Sequence, residues 1–333
     1  MKRVVFASGK GGTGKTTVTA LMAHLAAPDH LLAVADCDVE ASNLSIALAA
    51  RPTDRVPFAG MPTARIDAEA CGGCGACMSV CRFDAIHPGE TVRSRAYEVD
   101  PWTCEGCGAC VPVCSDGAMV MEPSDAGEVT DGATTVGPIA YGQLAPGEDL
   151  SGKLVTEVRG HAEAAAAAWG AELLLIDGPP GVGCPATASI TNTELLVAVA
   201  EPTISGVHDL RRLIGLARRL NVPVAVVLNK ADLSEEGATM LRDLAAAEAL
   251  EIVGEIPFDP SLAGVLERLA SCRSRAKPGA PATRRGSGSG RRSRRCSPER
   301  LRYNPRTGAR GVRSDDGSRA YRAGCPADPG GCR

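Results

Sequence analysis

Gly9-Lys10-Gly11-Gly12-Thr13-Gly14-Lys15-Thr16-Thr17 follows a short apolar run, Lys2–Ala7, and opens a helix-forming stretch that continues to about Ala26. A strand, a tight glycine turn and a helix in that order make a cradle for phosphate. Glycines let backbone N–H groups converge on one anion, and the helix N-terminus adds its dipole. In such a loop Lys15 reaches the terminal phosphates of a nucleoside triphosphate, and the Thr16 hydroxyl sits on the accompanying Mg²⁺.

Working outward, a second apolar run, Leu31–Asp36, ends in acid. Further short runs follow at Leu173–Asp177, Leu195–Ala200 and Val222–Leu228, alternating with helical stretches at about Leu154–Trp169, Gly206–Leu220 and Glu235–Ala249. Strands that alternate with helices predict a doubly wound α/β domain with a parallel sheet covered on both faces.

The pattern is interrupted from about residue 63 to 122. Here lie Cys71-x2-Cys74-x2-Cys77-x3-Cys81 and, 33 residues on, Cys104-x2-Cys107-x2-Cys110-x3-Cys114. This is the run of bacterial ferredoxins, in which the fourth cysteine ligates the other of two clusters. The spacing therefore predicts one 4Fe-4S cluster on Cys71, Cys74, Cys77 and Cys114, and a second on Cys104, Cys107, Cys110 and Cys81. Zinc is the rival metal, because four-cysteine zinc sites also use C-x2-C pairs. The usual proline after the fourth cysteine is replaced by Arg82 and Ser115, which removes no ligand. The expected organisation is a discontinuous nucleotide domain, 1–62 and 123–272, with an inserted α+β ferredoxin-type domain at 63–122.

Charge divides the chain elsewhere. Residues 1–272 carry 19 Lys and Arg against 35 Asp and Glu, whereas residues 273–333 carry 17 against 4. The second stretch is rich in Arg, Gly, Ser and Pro, has almost no apolar clusters, and is expected to be a disordered tail. Its composition matches an out-of-frame reading of GC-rich coding DNA; the alternative is a polybasic tail for nucleic acid or anionic lipid. Without that tail nothing points to nucleic acid. No run of 18 apolar residues predicts a membrane span. Eight of the 14 cysteines fall in the two runs, and thiolates kept for metal need a reducing compartment, so the expected location is the cytoplasm.

The extra lysine, Lys10, gives the loop a family likeness. Lys10-Gly11-Gly12-Thr13-Gly14-Lys15-Thr16-Thr17 resembles the deviant Walker A of the MinD/ParA superfamily of P-loop ATPases, and the likeness runs from Lys2 to about Pro260. It includes Asp36-Cys37-Asp38, Ile176-Asp177-Gly178-Pro179-Pro180-Gly181, Glu201-Pro202-Thr203, Asn229-Lys230-Ala231-Asp232 and Gly254–Asp259. The resemblance implies an ATP-dependent homodimer in which Lys10 crosses to the partner's nucleotide. It also implies catalytic roles for Lys10, Lys15 and Asp38, with Asp38 activating the attacking water. Asp36 and Asp177 would support Mg²⁺ through water, and Gly178 or Gly181 would sense the γ-phosphate. Asn229 would lie on the adenine side. Gly9, Gly11, Gly12, Thr13, Gly14, Thr16 and Thr17 complete the implied ATP contacts.

These readings converge on an ATPase whose hydrolysis gates electron transfer through two 4Fe-4S clusters toward an unnamed redox partner. Two alternatives stay open: an iron–sulfur assembly or carrier ATPase, and a ParA/MinD-like positioning switch. Cys37 is expected to be packing, and Cys184, just past Gly181, either structural or coupled to the nucleotide state.

Overall fold

A computed structural model describes residues 1–89, 96–262 and 264 of the chain. In chain order the first half contains β1 (Lys2–Ser8), α1 (Lys15–Ala26), β2 (Leu32–Asp36), α2 (Leu44–Ala47), β3 (Arg51–Ile66), α3 (Ala76–Val80), β4 (Ile86–Pro88), β5 (Tyr97–Val99) and β6 (Met119–Ala133). Then come β7 (Pro138–Leu144), α4 (Ser151–Trp169), β8 (Leu173–Pro180), α5 (Cys184–Ile190), β9 (Leu195–Ala200), α6 (Ile204–Arg219), β10 (Val224–Asn229), α7 (Glu235–Ala247) and β11 (Glu251–Ile256).

Nine strands form one sheet in the order β11-β10-β9-β1-β8-β2-β7-β6-β3. Every pair from β11 to β7 is parallel, and the last two pairings are antiparallel. Alternate residues of the central strands serve the two faces, as the two-residue repeat of a strand requires. Val5, Ala33, Leu174 and Ile176 pack in the layer that holds Leu154, Val158 and Leu213. Phe6, Leu32, Val34 and Leu175 pack in the opposite layer with Val18, Ala23 and Leu44. The chain is thus a doubly wound α/β fold whose mostly parallel sheet is covered on both faces.

Local signals set the helix ends. Thr203 caps α6 by accepting from Gly206 N at 2.9 Å, and Ser234 caps α7 by accepting from Gly237 N at 3.0 Å. Glu235 and Glu236 stand in the first turn of α7, where they suit the helix dipole. The alanine-rich α4 stops at Gly170, which holds φ 72°.

The expected domain boundaries at 62/63 and 122/123 fall inside strands. β3 and β6 pair without a break in the chain from Arg51↔Ala133 to Ile66↔Met119, with bulges near Pro52, Ala59 and Pro62. They form two long arms that run on past the end of β7 and carry residues 67–89 and 96–118 at their tip. The sequence reading placed no strand at β3, β6 or β7, because Pro52, Pro57, Pro62, Pro123, Gly127 and Gly132 break the apolar pattern. Proline is tolerated here because β3 is the last strand of the sheet.

At the tip, β4 and β5 form a separate two-stranded sheet. The small core there consists of Ala64, Cys77, Ile86, Cys110 and Met119, bordered by Ile66, Tyr97, Val99 and the half-buried Cys81, Cys104 and Cys114. Among the described residues no helix is long and apolar enough to cross a membrane. The basic tail expected from residue 273 lies outside the described residues.

Candidate nucleotide site and cysteine hollows

The nucleotide cleft lies at the C-terminal ends of β1, β2 and β8, beside the point where the chain turns from one side of β1 to the other. In open α/β sheets this is where ligands bind. It is lined by Gly11, Gly12, Thr13, Gly14, Lys15, Thr16 and Thr17 from the loop, and by Asp38, Glu40 and Asn43 opposite. Gly12 and Gly14 hold φ values of 79° and 84°, in the left-handed region that glycine permits. A side chain at Gly14 would also collide with the Asn229 amide.

Lys15 is 5% exposed and its ammonium donates to Asp177 Oδ1 at 2.9 Å, with Asp38 Oδ2 3.6 Å away. Asp177 is fully buried at its strand end. Its Oδ2 accepts from the Thr16 hydroxyl at 2.7 Å, and its Oδ1 also accepts from the Thr19 hydroxyl at 3.0 Å. Asp36 sits opposite Asp177 in the β2–β8 register and is equally buried. Its oxygens accept from Ser42 Oγ at 2.8 Å, Leu44 N at 2.9 Å and Asp38 N at 3.2 Å. Asp36 therefore braces the loop that carries Asp38.

Three carboxylates around one buried ammonium leave an excess of negative charge. Burial first, and then the Asp177 charge, raise the Asp36 carboxyl to about 7, against the bonds from Ser42 and Leu44. Burial also raises Asp38, an effect that Lys15 only partly offsets. Cys37, between them, is fully buried, and burial holds its thiol far above the usual range, as suits a packing residue.

The far side of the loop is held by Asn229, expected on the adenine side, by Lys10, expected to cross to a partner's nucleotide, and by Lys230 and Glu201. Asn229 donates from Nδ2 to Thr13 O at 2.7 Å, so its amide is committed to the loop's backbone. Lys230 donates to Gly12 O at 2.9 Å and pairs with Glu201 at 3.2 Å. Lys10 folds back within its own chain to Glu201 and donates to Ser205 Oγ at 3.1 Å. Burial alone would raise the Glu201 carboxyl, but bonds from Lys10 and Lys230 outweigh it and hold it below the usual range. Thr19 could have been found from its spacing, one helical turn after Lys15. Glu201 stood in a stretch already noted, but nothing in the sequence paired it with Lys10. Gly178 and Gly181 lie at the end of β8 and just beyond it; Gly181 N donates to Ser8 O at 2.8 Å.

The eight cysteines of the two runs divide between two hollows at the tip of the arms. One, partly open to solvent, is lined by Cys71, Cys74, Cys77 and Cys114, with Tyr97 and Met119. The other is lined by Cys104, Cys107, Cys110 and Cys81, with Phe83 and Ile86. Each hollow combines three cysteines of one run with the last of the other. Gly73, Gly75, Gly106 and Gly108 hold φ between 66° and 75°, which turns the backbone around each hollow between successive cysteines. Cys104 Sγ accepts from Ala64 N at 3.5 Å. Burial raises the Cys77 and Cys110 thiols. Among the described residues no three His, Cys, Asp or Glu side chains gather as a site for a single metal ion.

The family model for the CobQ/CobB/MinD/ParA nucleotide binding domain matches residues 4–270. Uncharacterized protein MJ0578 of Methanocaldococcus jannaschii is 31% identical over 278 residues, which cover 83% of this chain and 91% of its own. Uncharacterized protein MJ0579 of the same organism is 26% identical over 237 residues, 71% of this chain and 82% of its own. Among solved structures, the septum site-determining protein MinD of Pyrococcus horikoshii, complexed with Mg-ADP, aligns with a TM-score of 0.46 and 16% identity, covering 83% of this chain and 90% of that one. The chain belongs to the CobQ/CobB/MinD/ParA family of nucleotide-binding domains.

Proposed function

We propose that this protein is a dimerising ATPase that gates electron transfer through two 4Fe-4S clusters held on the β3–β6 arms. The observation that carries the electron-transfer part is the crossed division of eight cysteines into two hollows. That division matches the ligand exchange of two-cluster ferredoxins. Zinc remains the rival metal, because four-cysteine zinc sites also use C-x2-C pairs, but the doubled three-cysteine run is the ferredoxin pattern. The tip also has few apolar groups of its own, and a core that small normally needs a metal or disulfide staple. When bound, the clusters supply one-electron carriers.

The nucleotide chemistry follows from the charges in the cleft. The loop N–H groups and Lys15 receive the β- and γ-phosphates, which takes the ammonium away from Asp177 and Asp38. A magnesium ion on the Thr16 hydroxyl and near Asp177 would restore the lost positive charge. Asp38, on a loop braced by Asp36, is placed to orient water for attack on the γ-phosphate. Positioning and charge neutralisation provide most of the acceleration in such transfers. Lys10 must leave Glu201 before it can reach a partner's nucleotide, which makes dimer formation and hydrolysis depend on each other.

The test is an anaerobic redox titration followed by electron paramagnetic resonance, with and without Mg-ATP, alongside iron analysis. About eight irons per chain and potentials that move with Mg-ATP are expected. Iron without a nucleotide effect would return the protein to carrier or positioning roles, and zinc would end the redox reading.

A further inference from the structure

The segment Leu144–Gly152, joining β7 to α4, runs beside the loop that carries Asp38, the start of α5 and the cysteine-bearing tip. At one end, Leu144 N donates to Val39 O at 3.0 Å. Val39 is the neighbour of Asp38 on the loop that lines the cleft, and its side chain packs beside Gly142 and Leu154. The next residue, Ala145, donates from N to Ala126 O in β6 at 2.9 Å. That bond falls at the root of the arms, beside Gly127, whose φ of 143° bends β6. A Cβ on Gly147 would stand 3.3 Å from the Trp102 ring, so this turn lies directly under the tip. At the other end, a Cβ on Gly152 would stand 3.2 Å from Cys184 Cβ, three residues beyond Gly181.

Trp102 is well placed to receive a displacement. Trp102 is 79% exposed, and its ring stands beside the backbone of this turn at Gly147. It lies two residues before Cys104, in a turn tied by Trp102 N to Asp100 Oδ1 at 2.9 Å and by Cys104 N to Asp100 O at 3.1 Å. A shift at Gly147 therefore reaches the first cysteine of the second run through one short, hydrogen-bonded turn.

We propose that the Leu144–Gly152 segment is the coupling element of this protein. Through it, rearrangement of the Asp38 loop or of the start of α5 moves the Trp102 turn and the hollow that contains Cys104. The coupling rests on the proposed nucleotide-gated function, but it concerns the motion of the chain and not the identity of the bound metal. By linkage, whatever fills the Cys104 hollow must change nucleotide affinity by the same factor that nucleotide changes its own.

The test is amide hydrogen exchange of the full chain, under anaerobic conditions, at saturating Mg-ADP and at saturating Mg-ATPγS. The reporter is the peptide covering residues 98–110. Wild-type exchange there should differ roughly threefold between the two nucleotides, as for a change in local opening. Ala145→Pro removes the N–H that bonds Ala126, and Trp102→Ala removes an exposed ring that the fold does not need. Both variants should retain nucleotide binding and lose most of the difference. Persistence of the full difference in both variants would overturn the proposal, and so would its absence in nucleotide-bound wild type. Iron analysis of the same samples separates the two ideas. A nucleotide-dependent peptide in iron-free protein supports the coupling while the cluster reading fails; eight-iron protein with an indifferent peptide does the reverse.

Discussion

The Lys15 ammonium lies 2.9 Å from Asp177 Oδ1 in a cleft where both side chains are almost wholly shielded from water. A pair of this kind fixes geometry more than it stabilises, since desolvation cancels much of the attraction. Breaking it from one side has a large effect. Lys15→Met should destabilise the protein by about 3 kcal/mol, because Asp177 is left buried without its cation. Urea melts should show part of that loss recovered in the double variant Lys15→Met/Asp177→Asn. Neither should hydrolyse ATP.

Asn229 offers a test of which part of the nucleotide it serves. Its amide props the Thr13 carbonyl at 2.7 Å. Asn229→Ala should weaken ATP binding about tenfold, the scale of one unmet buried hydrogen bond. Calorimetry with inorganic tripolyphosphate should show the same loss, because the effect passes through the loop. A loss confined to ATP would assign the side chain to the base instead.

Asp36 makes a prediction about pH. Its carboxyl is raised in the folded protein to about 7 from 3.8. The folded state therefore binds more protons than the unfolded state between these values, and stability falls as pH rises through that window. Asp36→Asn should flatten the slope of unfolding free energy between pH 4 and pH 7 (from 3.8 to about 7 for the native side chain), whatever its effect on absolute stability. An unchanged slope would show that Asp36 is ionised throughout.

The crossed hollows predict a pattern of non-additivity among cysteine variants. Cys71→Ser and Cys114→Ser line one hollow, so each alone and both together should remove the same cluster, about four of eight irons. Cys71→Ser combined with Cys81→Ser should remove both. If Cys114 instead grouped with Cys104, Cys107 and Cys110, the Cys71/Cys114 double variant would lose both clusters. Iron analysis and electron paramagnetic resonance distinguish these outcomes.

Lys10 should behave differently from Lys15. It sits at the surface, paired with Glu201 and Ser205, so Lys10→Ala should leave stability within about 0.5 kcal/mol. Sedimentation should nevertheless show loss of any ATP-dependent dimer.

The parts of this protein legible in the sequence were those that local chemistry dictates. Gly12, Gly14 and Lys15 announce a phosphate loop because few other sequences make that turn before a helix. Asp36 and Asp177 were recognisable as acids ending buried strands. The arms were not legible. Their prolines and glycines argue against a strand, and only a place at the edge of the sheet makes Pro52 and Pro57 acceptable there. Pairings between distant residues were also hidden. Glu201 meets Lys10 only because β9, distant in the chain, pairs directly with β1, and Asn229 turns to Thr13 only because β10 ends beside the loop.

The two rims of the main sheet are unequal. At one, β3 carries Pro52, Pro57 and Pro62, which have no N–H to offer, and its register is broken by bulges. At the other, β11 runs without proline and pairs in parallel with β10 alone among the described strands. Among the described strands the sheet thus has one margin interrupted by prolines and one without them. A proline placed in β11 should therefore lower the aggregation of destabilised variants.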